Sequence, residues 1–338
     1  MNFGYREACL NHETGPRHPE SLDRLRAIRR ALTDRYGVRY VAADSATRDR
    51  LVAVHDTDYV EEVEDFCAGG GGNWDADTVA CEATWEAALA SAGLAEWVAR
   101  RALAGDDGRD TPFSLGRPPG HHAVADDAMG FCFFNNAAVA ARAVIDDGAA
   151  DRVAVFDWDV HHGNGIQDLF YDRGDVFYAS VHEDGLYPGT GGVRETGTGE
   201  GAGTNLNVPF PPGTTHAAYL RTLEEVVSPA LAAFDPDLLL VSAGFDAHQH
   251  DPISRMRVST EGYGLLTESA HAVADRCDAA LGFVLEGGYG LDTLSESVRM
   301  VNKVFDGYQP ARDDEDEVND AALGVLESVR GLDVPGLE

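Results

Sequence analysis

The stretch RVAVFDWDVHHGNG, residues 152–165, decides the fold class of this chain. It opens with an apolar run of the kind found in strands that are buried on both faces of a parallel sheet. Asp157, Asp159 and His161 then occupy alternate positions before a glycine-containing turn. Because side chains alternate faces along a strand, we expect these three to point in one direction. Open α/β sheets bind ligands at the carboxyl ends of their strands, so the stretch predicts a site there.

Local pattern leaves other interpretations of this stretch open. Asp157 or Asp159 can cap a following helix, and buried histidines are often hydrogen-bonded core residues. A carboxylate and an imidazole spaced in this way can instead share a metal ion. Further polar motifs, which follow other predicted strands, favour a site.

Strand and helix patterns alternate along most of the chain. We predict strands at residues 3–9, 38–42, 112–115, 152–157, 175–182, 204–209, 237–243 and 281–285. Helical patterns fall at 22–32, 48–66 (two short segments), 82–104, 134–147, 215–233, 261–276 and 292–306. Repeated strand–helix units predict an α/β fold with a mainly parallel sheet covered by helices on both faces. The glycine-rich segment 69–78 cannot hold a helix and is predicted to be an exposed loop.

The domain organisation follows from where the pattern stops. No linker-like or charge-run segment interrupts residues 1–310, so we predict a single domain there. Beyond it the chain becomes rich in Asp and Glu and loses its pattern, except for a short amphipathic piece near residues 321–329. We predict that residues 311–338 form an acidic, peripheral C-terminal tail without chemistry.

The charge of the chain is extreme. The formal net charge is −32, with 58 acidic and 26 basic residues, and Lys303 is the one lysine. Arginine in place of lysine, together with this acidity, indicates a halophilic protein whose self-repulsion is screened by a salt-rich cytoplasm. Neutralising phosphates needs basic patches, and none is visible, so we expect no direct nucleic-acid partner. A cationic substrate is compatible with this surface.

Cysteine usage and hydropathy indicate a soluble, cytoplasmic protein. The five cysteines lack paired spacing, which suits a reducing compartment. We find neither a signal peptide nor a run of about 18 apolar residues, so no membrane association is expected. The sequence does not indicate an oligomeric state.

Two adjacent histidines follow the strand predicted at 112–115. GRPPGHH, residues 116–122, ends in His121 and His122. Catalytic histidines need carboxylate or amide partners that fix their tautomers, and Asp157 and Asn164 are available. An incidental pair in a turn is the alternative.

Two more motifs follow apolar strands. SAGFD, residues 242–246, puts Asp246 at a strand end, so Asp159, His161 and Asp246 make three ligands, the number in catalytic zinc sites that keep a position for water. EGGYG, residues 286–290, puts Tyr289 among glycines, where its hydroxyl can donate to an oxyanion. A helix cap at Asp246 and a turn aromatic at Tyr289 are the alternatives.

Six ordered motifs carry a family resemblance. GRPPGHHA, GFCFFNN, DWDVHHGNG, SVHEDGLYPGTGG, SAGFDAH and EGGYG resemble those of the zinc-dependent histone deacetylase family, which also contains acetylpolyamine amidohydrolases and acetoin-utilisation proteins. The resemblance runs from RHPE at residues 17–20 to Gly290. It implies the arginase-like three-layer α/β/α fold with a mainly parallel sheet of about eight strands, and hydrolysis of an acetamide on an amine.

The resemblance also implies roles for individual residues. Zn²⁺, or Fe²⁺ in the cell, would be bound by Asp159, His161 and Asp246. His122 would be the general base and acid, oriented by Asn164, and His121, held by Asp157, would act electrostatically. Tyr289 would donate to the oxyanion. Substrate contacts would come from Gly130, Phe131, Tyr187, Gly287, Ile253 and, by a spacing match, Asp75.

Potassium is a second implied cofactor. Its ligands would be carbonyl and side-chain oxygens of Asp157, Asp159, His161, Ser180 and Val181. A second K⁺ would lie near Phe170, Arg173, Val176 and Thr204.

Two departures from the family pattern bear on substrate. Asn164 replaces the Asp of one branch, which makes the chain similar to the class II branch. Ile253 replaces the acidic gatekeeper of the polyamine-selective members, so acetyl-lysine in proteins is favoured over acetylpolyamine. A small-acylamine amidohydrolase and a non-catalytic acyl-lysine-binding module are the alternatives.

Overall fold

The computed structural model describes residues 1–33, 38–312 and 318–337. Its strands are β1 (Asn2–Gly4), β2 (Arg39–Val41), β3 (Gly71–Asn73), β4 (Val79–Cys81), β5 (Pro112–Ser114), β6 (Val153–Asp157), β7 (Val176–Glu183), β8 (Asn205–Phe210), β9 (Leu238–Ala243) and β10 (Ala280–Leu285). Eight of them form one sheet in the order β2-β1-β5-β10-β9-β6-β7-β8. Every neighbouring pair in it is parallel, so the predicted fold class is confirmed.

Helices connect these strands. They are α1 (Asp23–Leu32), α2 (Arg48–Val52), α3 (Thr57–Ala68), α4 (Thr84–Leu103), α5 (Asn136–Asp146), α6 (Asn164–Phe170), α7 (His216–Thr222), α8 (Ser228–Phe234), α9 (Thr260–Cys277), α10 (Leu291–Phe305) and α11 (Asp320–Arg330). A π-helical segment, Leu223–Val227, joins α7 to α8, and single 3₁₀ turns lie at Glu7–Leu10, Gly108–Asp110 and Gly199–Gly201. None of the helices in the described part of the chain has the length and apolar character of a membrane span.

Strand alternation creates the three layers. In β6, Ala154 and Phe156 face a core shared with α1 and α7–α11, whereas Val153 and Val155 face a second core shared with α4, α5 and α6. Each large apolar side chain buried in this way contributes roughly 1.5–3 kcal/mol. The sheet is therefore covered on both faces, as the continuous apolar runs predict.

The structure corrects two expectations. The segment 69–78, predicted to be an exposed loop, contains β3, which pairs antiparallel with β4. The C-terminal segment is not peripheral where it is described, because Leu326, Val329 and Val334 are buried in the core beside β8. An amphipathic helix has an apolar face that must be covered, and the sheet edge provides the cover. The acidic run at 313–317 lies outside the described residues.

The sheet order positions the site. The strands β5, β10, β9 and β6 are consecutive in the sheet, and each is followed by one of the polar motifs. Because all four are parallel, their carboxyl ends lie along one edge of the sheet.

Candidate active site

Three side chains from two strand ends meet at this edge. Asp159 and His161 follow β6, and Asp246 follows the neighbouring β9. One ligand atom from each lies within 4.8 Å of the other two, and all three residues are buried. His161 Nδ1 is 3.0 Å from Asp159 Oδ1 and 3.3 Å from Asp246 Oδ2. The structure thus brings together the residues predicted to bind a metal.

This donor set fits a divalent metal ion. Two carboxylates and an imidazole are common metal ligands, and among the described residues no donor hydrogen-bonds to the buried Asp246 Oδ2, whose nearest basic neighbour is His161 Nδ1 at 3.3 Å. A Cβ added to Gly287 would lie 2.1 Å from Asp246 Oδ2 and 2.6 Å from Asp159 Oδ2, so glycine keeps this space open. Burial lowers the pKa of His161, but the two carboxylates outweigh it and raise this pKa to about 10. The cluster therefore attracts positive charge.

The two adjacent histidines lie beside this cluster and have different partners. His121 Nδ1 is 3.1 Å from Asp157 Oδ2, and its Nε2 is 3.9 Å from Asp159 Oδ1. His122 Nδ1 is instead 2.8 Å from Asn164 Oδ1. Each histidine thus contacts the partner expected from the sequence, Asp157 for His121 and Asn164 for His122.

The partners give the two histidines opposite pKa shifts. Burial lowers the pKa of His121, but the carboxylates of Asp159 and Asp157 outweigh burial and raise it to about 10. Burial, together with the positive charge of His121 and His161, holds the pKa of His122 well below its usual range. The ring centroids of the pair are 4.0 Å apart. Near neutral pH His122 is thus a free base beside a charged neighbour.

Tyr289 lies in the segment 286–290, which follows β10 and is called here the tyrosine loop. Gly287 N donates to Asp159 Oδ2 at 2.8 Å, which ties the loop to the metal-ligand cluster. The Tyr289 ring meets Phe131 edge-on, with centroids 5.8 Å apart, and its centroid is 5.1 Å from Arg24 Cζ. Burial raises the pKa of Tyr289 well above its usual value, so its hydroxyl is a neutral donor.

Sequence reasoning missed two buried charged residues that hold this loop. Arg24, on α1, donates through Nε to Gly288 O at 2.7 Å and through Nη2 to Glu286 O. Glu286 Oε2 accepts from Gly120 N at 2.7 Å and from His121 N at 3.2 Å. The sequence contained two signals of their burial. Arg24 lies on the apolar face of α1, and Glu286 directly follows an apolar strand.

Comparison with known proteins agrees with this geometry. Residues 18–305 match the histone deacetylase domain family.

The chain belongs to the histone deacetylase domain family.

Its relatives within that family come from different kinds of organism. The chain is 39% identical over 311 residues to a histone deacetylase-like amidohydrolase of Pseudomonas aeruginosa, covering 85% of this chain and 81% of the relative. It is 42% identical over 305 residues to a probable deacetylase of Methanothermobacter thermautotrophicus, covering 89% of each. The crystal structure of the HDA15 HD domain matches with a TM-score of 0.88 at 36% identity, covering 97% of this chain and 92% of that one.

Two aromatic residues flank the site of this histone deacetylase family member. Tyr187 meets His122 edge-on with ring centroids 5.1 Å apart, and Phe131 meets Tyr289. Gly130, which precedes Phe131, has φ +55°. A Cβ at this position would be 2.4 Å from His122 Cδ2 and 2.9 Å from Tyr187 Cε1. Phe131 itself has φ 70°, a conformation that costs a non-glycine residue energy and is typical of functional sites.

Two other predicted substrate contacts make bonds within the protein. The exposed Asp75 accepts through Oδ1 from Asp77 N at 2.9 Å and from Thr78 N at 2.5 Å, so its carboxylate holds the turn between β3 and β4. Ile253 N donates to Asp251 Oδ1 at 3.1 Å. A substrate role for Asp75 or Ile253 stays a prediction.

The predicted potassium ligands lie near one another. Asp157 on β6 and Ser180 on β7 are register partners, and Val181 follows directly. Ser180 Oγ also lies 2.9 Å from His182 Nδ1. At the second place, Arg173 N donates to Phe170 O at 3.0 Å. Potassium at either place stays a prediction.

Proposed function

We propose that this protein is a metal-dependent deacetylase that hydrolyses the acetamide of N6-acetyl-lysine in proteins. One observation carries the proposal: the buried ligand set of Asp159, His161 and Asp246 adjoins two histidines with opposite protonation tendencies. A binding module has no need of a free base next to a charged imidazole. The arrangement therefore favours hydrolysis over the alternative of a non-catalytic acyl-lysine-binding module.

The three ligand residues would hold Zn²⁺, with Fe²⁺ as the alternative for the same donors. When bound, such an ion supplies Lewis-acid polarisation of the amide carbonyl and of water. The neutral His122 takes a proton from the attacking water and later gives it to the leaving amine. His121, fixed by Asp157, adds positive charge beside the reacting atoms. Tyr289 donates a hydrogen bond to the carbonyl oxygen as negative charge develops there.

The overall reaction adds water across the amide. The water oxygen bonds to the acetyl carbon, the carbon–nitrogen bond breaks, and acetate and a free amine leave. The aromatic walls of Phe131 and Tyr187 suit the aliphatic part of a lysine side chain. Ile253 is apolar and would not bind the second positive charge of a polyamine substrate. An acetylpolyamine or another small acylamine is the second candidate, because a net charge of −32 attracts polycations.

Several further assignments belong to this proposal. Similarity to the class II branch rests on Asn164, and K⁺ beside Asp157 and Ser180 rests on their register. The proposal that the protein works in a salt-rich cytoplasm rests on the net charge of the chain. We expect the melting temperature to rise from low to molar KCl, because concentrated salt screens the acidic surface.

The test measures acetate release in concentrated KCl from an acetyl-lysine peptide and from a singly acetylated polyamine. We expect faster release from the peptide and loss of both activities with a chelator. Tyr289→Phe should lower kcat by about 10²–10³-fold. Tyr263→Phe is the matched control, because this buried phenol makes no hydrogen bond to any residue that the structure describes, and its replacement should leave kcat unchanged. Faster polyamine hydrolysis favours the second candidate, and binding without acetate release favours the module.

A further inference from the structure

Asp251 is a buried carboxylate that binds backbone amides of two separate loops. It lies five residues after Asp246 and is 6% exposed. Its Oδ2 accepts from Tyr289 N at 2.7 Å and from Gly290 N at 2.9 Å. Its Oδ1 accepts from Ile253 N at 3.1 Å. One side chain therefore links the tyrosine loop to the segment that carries Ile253.

The position of the two amides gives these bonds their importance. The amides of Tyr289 and Gly290 belong to the peptide planes on either side of the Tyr289 Cα. Fixing both planes fixes the direction in which the Tyr289 side chain leaves the backbone. Bonds from amides to a carboxylate are also stronger than bonds between neutral groups.

The other side chains that bind the tyrosine loop reach only one of these two peptide planes, the one before the Tyr289 Cα. Arg24 binds the carbonyls of Glu286 and Gly288, and Asp159 binds the amide of Gly287. The Gly288 carbonyl and the Tyr289 amide belong to the same peptide plane, so Arg24 shares with Asp251 the hold on the plane before the Tyr289 Cα. The two amides at and after Tyr289 are held by Asp251.

We propose that Asp251 is the positioning residue of Tyr289 and couples the placement of its phenol to the segment that carries Ile253. This role rests on the proposed deacetylase function. Asp251 does not touch the reacting atoms and acts through the backbone of Tyr289. A misplacement of about 1 Å in a catalytic group can cost about 100-fold in rate.

The test is a double-mutant cycle between Asp251 and Tyr289 in the metal-loaded protein. We expect Asp251→Ala to lower kcat for an acetyl-lysine peptide by about 10–100-fold while KM changes little. Asp251→Ala added to Tyr289→Phe should cost almost nothing more, because the hydroxyl being positioned is already gone. Asp251→Asn keeps one oxygen for the two amides and should recover part of kcat.

Asp237→Ala is the matched control. The Asp237 carboxylate also accepts from two successive amides, Asp151 N at 2.7 Å and Arg152 N at 2.9 Å, but it lies at the opposite edge of the sheet. We expect it to leave kcat unchanged. Metal content and melting temperature are measured for every variant, and if Asp251→Ala does not fold, the cycle is run with Asp251→Asn.

Each outcome decides between the two proposals. Three results would overturn the positioning role alone. They are an equal loss of kcat from the Asp251 substitution with and without the Tyr289 hydroxyl, an unchanged kcat, and an effect confined to KM or metal content. Absence of acetate release from the wild-type protein would overturn the proposed function and this role with it.

Discussion

Two buried clusters of charged side chains lie near each other in this protein and balance their charge differently. The arginine cluster consists of Glu20, Arg24 and Arg117, all 0% exposed. Arg117 Nε lies 2.6 Å from Glu20 Oε1, and Arg24 Nη1 lies 3.2 Å from the same oxygen. Further guanidinium donors bind backbone carbonyls, such as Gly288 O. The two permanent positive charges of this cluster therefore face one carboxylate and several backbone carbonyls of the same chain.

The acidic cluster consists of Asp157, Asp159 and Asp246, which are also 0% exposed. Within the described residues, no arginine or lysine forms an ion pair with these carboxylates, and their basic partners are His121 and His161. Histidine is charged only when it binds a proton. The acidic cluster is therefore neutralised by protons or by a cation from solution, whereas the arginine cluster contains its own permanent positive charges. This difference supports the proposed functional role of the acidic cluster and indicates a structural role for the arginine cluster.

The same type of substitution should have opposite effects in the two clusters. In the acidic cluster, Asp246→Asn removes one of the three proposed metal ligands, and we expect deacetylation to fall by more than about 1,000-fold. Removing a group that only orients a metal ligand already costs 10–100-fold. The metal content of the purified protein should fall in parallel, as measured by elemental analysis.

Stability supplies the other half of this prediction. In the presence of a chelator, Asp246→Asn should keep or raise the free energy of unfolding, because it removes one of several carboxylates that repel one another. Its Oδ1 can still accept from Val160 N, as it does at 2.9 Å in the wild type. A loss of several kcal/mol in the metal-free protein would contradict the division between the clusters.

In the arginine cluster, Glu20→Gln should destabilise the fold by about 3–5 kcal/mol, because it leaves two buried guanidinium groups without a balancing charge. The free energy of unfolding from denaturant titration measures this. Burial raises the pKa of Glu20, but Arg117, His12 and Arg24 outweigh burial and lower it to about 2, from an ordinary 4.5. Glu20 therefore contributes stability that is fully present above pH 4.5 and is lost as the pH falls towards 2.

Asp23→Asn, at the first residue of α1 and three residues after Glu20, is the control. The Asp23 carboxylate lies 3.2 Å from Arg26, and both side chains are more than half exposed. Exposed pairs of this kind contribute at most about 1 kcal/mol. Equal losses from Glu20→Gln and Asp23→Asn would show that burial does not distinguish the arginine cluster.

The two clusters also differ in how far sequence could predict them. Asp159 and His161 are two residues apart after an apolar run, and Asp246 and Tyr289 follow other apolar runs, so strand periodicity makes them candidates and the family resemblance gives them roles. Arg24 binds Gly288 across 264 residues, and Asp251 binds Tyr289 across 38. Such contacts join a side chain to a distant backbone group, so a local pattern can mark Arg24 as buried but cannot identify its partner. The burial of α11 likewise depends on a neighbour that its own sequence does not reveal.

Asn164→Asp tests the comparison between the two clusters by placing one more carboxylate next to the acidic cluster. The change places a negative charge next to His122 Nδ1, now 2.8 Å from a neutral amide oxygen. A nearby opposite charge favours the protonated imidazole and raises the pKa of His122, typically by about 1 unit or more. Because the proposed role of His122 as a base requires the neutral imidazole, we expect activity to fall as the pH drops through this pKa. The acidic limb of the pH profile of kcat/KM should therefore move to higher pH.

Asn319→Asp separates this local effect from added negative charge in general. Asn319 is exposed at the start of α11, where its side chain caps the helix through Ala322 N at 2.8 Å, and aspartate can make the same bond. We expect this variant to keep the wild-type pH profile. If Asn164→Asp also leaves the acidic limb in place, another group limits activity at low pH and His122 is not the base. If both variants move the acidic limb equally, its position depends on the net charge of the whole molecule. The acidic cluster then has no electrostatic effect on His122 beyond that of any other negative charge.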